Sequence, residues 1–146
     1  NPGASSGAAG STAADTSAGG VPSDKNVSIN IFQFKVEAKD AFQKAIDAYQ
    51  KKHPNVKINM ETVGGGDDYG AALKTKMKSD PPVIFNIGGP QDVKDWNSKL
   101  EDLSDQQWIS HLPEDSLADV KDGSKVLGMP FDLEGYGIVI NPKSQD

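Results

Sequence analysis

Three short apolar segments alternate with three amphipathic ones between residues 27 and 100, and this alternation restricts the fold more than any other feature. The apolar segments are rich in β-branched and aromatic residues, which is typical of strands. They are VSINIFQF at 27–34, VKINMETV at 56–63 and VIFNI at 83–87. Residues 37–53, 69–78 and those after Pro90 carry apolar side chains at helical spacing. Because strands linked by helices pair in parallel, the sequence predicts an α/β fold with a mostly parallel sheet flanked by helices.

The same pattern predicts which side chains lie inside. VIFNI is apolar enough to be a strand buried within a parallel sheet. Trp96 falls on one helical stripe with Val93 and Leu100, which favours the core over ligand stacking, whereas Trp108 stays undetermined. The inward face of the first helix is predicted to carry Ala38, Phe42, Ala45, Ile46 and Tyr49.

After residue 102 the pattern weakens, although three further elements are predicted. A short helix is expected around Trp108, and a turn at Asp122 and Gly123 precedes a short strand. A last strand is expected at 135–142.

Residues 1–24 differ in composition from the rest, since Gly, Ala, Ser, Thr and Pro fill 20 of these 24 positions. Such a segment buries too little apolar surface to offset its ordering entropy. A disordered, flexible linker is therefore predicted, joined to a folded unit at 25–146. A cell-surface tether is favoured over a cloning remnant because the linker runs directly into the first strand. Asn1 is not a natural start, so the amino end is expected to be trimmed by processing or cloning.

Charge and cysteine content exclude several functional classes. The net charge of −6 disfavours nucleic acid or an anionic membrane as the main partner, since both require a basic face. The absence of cysteine excludes disulfides, thiolate metal sites and cysteine nucleophiles within the chain. No apolar run approaches the about 18 residues of a membrane span.

The loop TVGGGDDYGAAL at 62–73 raises the possibility of a phosphate or metal site. A Walker loop requires Gly-Lys-Ser/Thr where this chain has Asp67 and Asp68, and the dinucleotide fingerprint requires glycine where it has Tyr69. No closing glutamate completes a calcium loop. We expect Asp68 to cap the following helix, while capping and ligand contact are equally open for Asp67. The glycines then permit a turn with close backbone approach.

No catalytic constellation is visible. His53 and His111 lie in separate segments, and there is no nucleophile elbow. The sequence therefore predicts a protein that is not an enzyme and holds no metal or cofactor. A phosphorylatable receiver domain would have similar length and alternation, but it requires acidic residues after the first and third strands. This chain has Phe34 and Asn86 near those positions.

Several segments in order resemble the amino-terminal lobe of bacterial extracellular solute-binding proteins of family 1, which serve sugar-importing ABC transporters. The matching segments are VSINIFQF, YQKKHPNVKINMETV, DDYGAALKTKMKSDPPVIFNIGG, VKDWNSKLEDLSD and DGSKVLGMPFDLEGYGIVINPK. The likeness covers about residues 27–143. The chain departs from the family pattern at Pro82-Val83, where Pro-Asp is usual, and at Val139 and Ile140, which replace tyrosines.

The resemblance implies a periplasmic-binding-protein-like lobe at 25–146, incomplete because it stops near the hinge crossover and lacks a strand and helices from the returning chain. It implies non-catalytic capture of an oligosaccharide between two lobes, delivery to ABC permease subunits, and a monomer. It also implies tethering at the surface of a Gram-positive cell as a lipoprotein, although the anchor cysteine is absent from this chain. An independent α/β signalling or structural module without a small ligand is the alternative.

In the family, the first strand lies between the second and third, and ligands bind beyond the carboxyl ends of parallel strands. The cleft loops are then 34–37, 64–68 and 88–92, with 130–136 reaching the same cleft. Sugars require aromatic faces and fixed polar groups. The candidate ligand-binding residues are Phe34, Glu37, Gly65, Asp67, Gly89, Gln91, Asp132, Glu134 and Tyr136. Core packing remains open for Phe34, hinge packing for Tyr136 and helix initiation for Gly89.

Overall fold

A computed structural model describes residues 25–64, 68–132, 137–138 and 140. Its sheet contains β1 (Val27–Gln33), β2 (Val56–Thr62) and β3 (Ile84–Phe85). The strand order is β2-β1-β3, and both pairings are parallel. The predicted alternation and the predicted central place of the first strand are confirmed. The predicted tether at 1–24 lies outside the described residues.

Two helices connect these strands, α1 (Lys39–Lys52) and α2 (Tyr69–Ser79), and a third, α3 (Pro90–Trp96), follows β3. A 3-10 turn, Val36–Ala38, precedes α1. Helix α2 begins where predicted, because the Asp68 side chain accepts a hydrogen bond from the Ala71 N–H at 3.0 Å. Pro90 occupies the first turn of α3, where its missing N–H is not needed.

The segment after α3 is built mainly from short 3-10 helices, Asn97–Lys99, Gln107–His111 and Glu114–Val120. The short helix predicted around Trp108 is the second of these. A two-stranded antiparallel hairpin follows, with β4 (Lys121–Asp122) and β5 (Lys125–Val126). Its turn contains Gly123 at φ +60°, a conformation that favours glycine. Of the strand predicted at 135–142, the described residues 137, 138 and 140 are not in a strand, and the others lie outside the described residues.

The core lies between the sheet and the helices. Trp96 is half-buried with its ring against Phe85, centroids 5.8 Å apart, as the helical stripe predicted. Residues of at most 6% exposure form the apolar core: Phe32, Ile46, Val56, Leu73, Val93, Leu117, Val126 and Leu127. Within the described part of the chain, no helix is both long and apolar enough to cross a bilayer.

Two burial predictions are wrong. The face predicted for α1 is too wide, since Ile46 is buried but Ala45 and Tyr49 are exposed. The third strand is not enclosed: Val83 is 66% exposed and Ile84 51%. The physical reason is that β3 lies at the edge of the described sheet and pairs only with β1.

Candidate ligand-binding site

The carboxyl ends of the three parallel strands meet at one edge, where the loops 34–37, 63–64 and 86–89 follow them. The first and third loops are joined directly, because the Phe34 N–H donates a hydrogen bond to Asn86 Oδ1 at 3.1 Å. The first and second loops touch at Gly64. The edge is therefore a connected surface and not a set of separate loops.

Gly64 is required by this contact. A Cβ placed at Gly64 would lie 2.6 Å from Val36 Cγ1 and 3.1 Å from the Phe34 carbonyl oxygen. The first distance is shorter than a normal van der Waals contact, so a side chain here would require the Val36 side chain to move and the Phe34 carbonyl group to shift slightly. A close approach thus occurs at Gly64, and it is made to protein, whereas Gly65 and Gly66 lie outside the described residues.

Hydrogen bonds of the Gln33 side chain connect the first loop to β2. Its side chain is 2% exposed, so its amide needs partners within the protein. Gln33 Nε2 donates to Thr62 Oγ1 at 2.7 Å, and Gln33 Oε1 accepts from the Lys35 N–H at 2.7 Å. A buried glutamine therefore holds the start of the loop against the neighbouring strand.

Tyr69, the first residue of α2, also contacts this edge of the sheet. Its hydroxyl lies 3.0 Å from the Asn86 carbonyl oxygen and 3.2 Å from that of Phe32. A hydroxyl has one proton, so it donates to one of these acceptors at a time. The ring stacks on Phe32 at 5.1 Å and meets Phe34 edge-on at 5.0 Å.

The electrostatic surroundings keep Tyr69 neutral. Burial raises the pKa of its phenol well above the ordinary value because the phenolate would lose hydration. The negative charge of Asp92 adds to this rise in pKa. Tyr69 therefore acts as a hydrogen-bond donor that links β1, α2 and the loop after β3.

Lys35 lies close to three of the predicted site residues. Its ammonium group lies 3.7 Å from a Glu37 carboxylate oxygen and 3.8 Å from one of Asp132. It also lies 5.9 Å from the centroid of the Phe34 ring. The Lys35 side chain is 18% exposed, whereas those of Glu37 and Asp132 are 66% and 46% exposed. Phe34, Glu37 and Asp132 are thus brought together, with both carboxylates accessible to solvent.

The loop after β3 carries two other predicted residues. Gly89 has φ +145°, which L side chains rarely adopt, so its backbone explains the glycine without a ligand. Gln91 Nε2 donates to Asp95 Oδ1 at 2.9 Å, so its amide is engaged along α3. The Gly88 N–H donates to Asp92 Oδ2 at 2.6 Å. Among the described residues, no hydrogen bond, ion pair or ring contact joins Gly89 or Gln91 to Phe34, Glu37 or Asp132.

The remaining predicted residues, Gly65, Asp67, Glu134 and Tyr136, lie outside the described residues. Sequence reasoning missed Lys35, Tyr69 and Asn86 as organising residues. Asn86 could have been found, because it follows the third strand at the edge where ligands bind. Tyr69 was noted only as a departure from the dinucleotide fingerprint, and Lys35 carries no signal that distinguishes it from other lysines.

A groove of about 690 Å³ runs along the open edge of β3 and reaches Asn86, Gly89 and Asp132 of the candidate edge. Its lining is mainly apolar and includes Val83, Ile84, Trp108, Leu127 and Met129. Among the described residues, no group of His, Asp or Glu is arranged to hold a metal ion.

Comparison with known proteins identifies the family. Residues 35–144 match the model of the bacterial extracellular solute-binding protein family. No curated protein matches the chain. The apo-form of RafE from Streptococcus pneumoniae is similar, with 25% identity, a TM-score of 0.59, and coverage of 74% of this chain and 27% of that one.

Two ligand complexes are also similar in fold. RafE in complex with raffinose is 24% identical, with a TM-score of 0.57 and coverage of 68% of this chain and 26% of that one. The ABC substrate-binding protein of Listeria monocytogenes, in complex with cycloalternan, is 24% identical, with a TM-score of 0.56 and coverage of 70% and 28%. The chain spans about a quarter of the length of these solved structures. It belongs to the bacterial extracellular solute-binding proteins and has the α/β fold of one lobe of such a protein.

Proposed function

We propose that the chain is the first lobe of a non-catalytic protein that captures an oligosaccharide for an ABC importer. The observation that carries this proposal is the connected edge at which Phe34, Glu37 and Asp132 surround Lys35. Pneumococcal RafE, which is 25% identical to this chain, has been solved with raffinose, and this supports a sugar as the cargo.

The chemistry of the edge suits a sugar. The ring of Phe34 is half-buried and offers apolar surface to the C–H face of a pyranose. The exposed carboxylates of Glu37 and Asp132 are strong acceptors for hydroxyl donors. Gln33, Tyr69 and Asn86 hold the loops in place, which lowers the ordering cost of binding.

A second lobe would supply the other half of the cleft. The chain's coverage of about a quarter of its solved relatives is consistent with a larger protein. We propose that two lobes close about a hinge on the sugar and that the closed form docks on permease subunits in the membrane. The open edge of β3 and the groove beside it suit a further strand from the returning chain. The composition of residues 1–24 suits a tether at the cell surface.

The proposal is tested by calorimetric titration of the full-length protein that the gene encodes. The panel comprises neutral and acidic oligosaccharides, amino acids and polyamines. We expect tight binding of one sugar class and of no amino acid or polyamine. Binding of a ligand from another class would leave the fold assignment intact and refute a sugar as the cargo. If no member of the panel binds, an α/β module without a small ligand would be favoured.

A matched pair of variants tests the site. Phe34→Ala should weaken sugar binding by about tenfold or more, since an aromatic face at the centre of a site carries much of the binding energy. Tyr49→Ala removes a similar ring from α1, where Tyr49 contacts His53, and should leave the affinity unchanged. Thermal melts of both variants separate loss of binding from loss of folding. Equal affinities for the two variants would contradict the assignment of Phe34.

A further inference from the structure

Charge is distributed unevenly at the candidate binding edge. The loops 34–37, 64–68, 88–92 and 130–136 contain one basic residue, Lys35. Of their acidic residues, Glu37, Asp68, Asp92 and Asp132 lie in the part of the chain that the structure describes. A ligand entering this edge therefore meets a negative field that is stronger than the net charge of −6 alone would produce.

The single basic residue is already engaged. Lys35 lies between Glu37 and Asp132, at 3.7 Å and 3.8 Å, and its side chain is only 18% exposed. An anionic ligand would have to replace one of these carboxylates, and the displaced carboxylate would then lie beside the ligand. Like charges at that separation repel.

Two backbone donors that suit anions are engaged in the same way. The start of an α-helix attracts anions through its unpaired N–H groups. At α2, the Asp68 side chain accepts the Ala71 N–H at 3.0 Å. In the loop after β3, Asp92 accepts the Gly88 N–H at 2.6 Å. Both donors thus bind carboxylates of this chain.

We infer that the cleft is selective for uncharged sugars and that Glu37, Asp68, Asp92 and Asp132 exclude uronic acids and sugar phosphates. The inference rests on the proposed function and narrows its substrate class. Neutral hydroxyls donate to exposed carboxylates without electrostatic cost. A ligand carboxylate or phosphate meets repulsion, and Lys35 and the N–H groups of Ala71 and Gly88 already bind carboxylates of this chain.

The test is a set of paired titrations on the full-length protein. The neutral probes are raffinose, maltotriose and xylotriose, and the anionic probes are trigalacturonate, an aldouronic trisaccharide from xylan and sialyllactose. For the neutral probe that binds best, affinity should not depend on salt. Every anionic probe should bind at least about tenfold more weakly in roughly 20 mM salt, and this penalty should shrink in roughly 500 mM salt.

Variants identify the source of the selectivity. The double change Glu37→Gln and Asp132→Asn removes the two carboxylate charges beside Lys35 and should reduce the penalty on anionic probes by about fivefold or more. Asp47→Asn on α1 is the control, because Asp47 is an exposed carboxylate that accepts from Gln43 on the same helix. It should leave the penalty unchanged.

The outcomes separate the two proposals. An anionic sugar that binds as tightly as the neutral ones would overturn the selectivity and leave sugar capture intact. If Asp47→Asn reduces the penalty as much as the double variant, the named carboxylates are not its source. Binding of neither class would overturn the proposed function and this inference with it.

Discussion

The hydroxyl of Tyr69 is the best single atom with which to test how the binding edge is held. Tyr69→Phe removes this atom and keeps the ring that packs on Phe32 and Phe34. The change therefore isolates one hydrogen bond from the aromatic packing around it.

The destabilisation expected for Tyr69→Phe depends on the two carbonyl oxygens that the hydroxyl contacts. The Phe32 carbonyl oxygen also accepts the Asn86 N–H at 3.1 Å, so it keeps a partner in the variant. The Asn86 carbonyl oxygen loses the hydroxyl that lies 3.0 Å away. Loss of a partly buried hydrogen bond of this kind costs about 1–2 kcal/mol. Tyr69→Ala would also remove the ring contacts and should cost about 3–5 kcal/mol.

Urea unfolding of the full-length protein measures this difference, provided that the dependence of free energy on urea is unchanged. Tyr49→Phe is the control, because Tyr49 is 38% exposed and its hydroxyl has no comparable position between strands. The control should change stability by less than about 0.5 kcal/mol. If Tyr69→Phe is no more destabilising than Tyr49→Phe, the linking role of the hydroxyl is refuted.

Three further predictions concern the same edge. Gly64→Ala should destabilise the protein by about 1–2 kcal/mol because its Cβ would meet Val36. Gly70→Ala, whose Cβ would have Asp68 Oδ1 as its nearest atom at 3.4 Å, should stabilise it by about 0.5–1 kcal/mol through helix propensity. Thermal melts in which both variants raise the melting temperature, or both lower it, would contradict the close contact at Gly64. Asp68→Ala should cost about 1 kcal/mol through loss of the cap of α2, measured by urea unfolding, and no loss would refute the cap. Because the pKa of Tyr69 is raised in the folded protein, its contribution to stability is complete below about pH 10 and is lost as the pH rises through the folded pKa. Tyr69→Phe should therefore lessen the decline of the free energy of unfolding at alkaline pH. An unchanged decline would contradict this prediction.

The regular elements were predictable because local signals define them. Alternating β-branched residues identified β1 and β2 within a residue, and Pro54 and Pro81 ended the helices before them. Asp68 marked the start of α2 through the chemistry of its cap. Each of these signals lies within a few residues of the feature it predicts.

The errors and omissions arise where distant parts of the chain meet. VIFNI reads as a buried strand, but Ile84 is half exposed because no described strand pairs with the outer side of β3. The role of Tyr69 was missed because its hydroxyl partners follow from the tertiary packing of β1 and the loop after β3. Likewise, Lys35 acquires its importance only when Asp132 lies beside it. The assignment of the ligand-binding residues themselves stays a prediction.

Amide chemical shifts of the labelled full-length protein, followed during titration with the best-binding neutral oligosaccharide, test the central claim most directly. The account predicts the largest changes in the loops 34–37, 63–64 and 86–92. It predicts little change at His53 and Asn55, which precede β2 at the opposite end of the sheet. Changes centred on that opposite end, or no change in the three loops while the sugar binds, would contradict a binding cleft at the carboxyl ends of the strands.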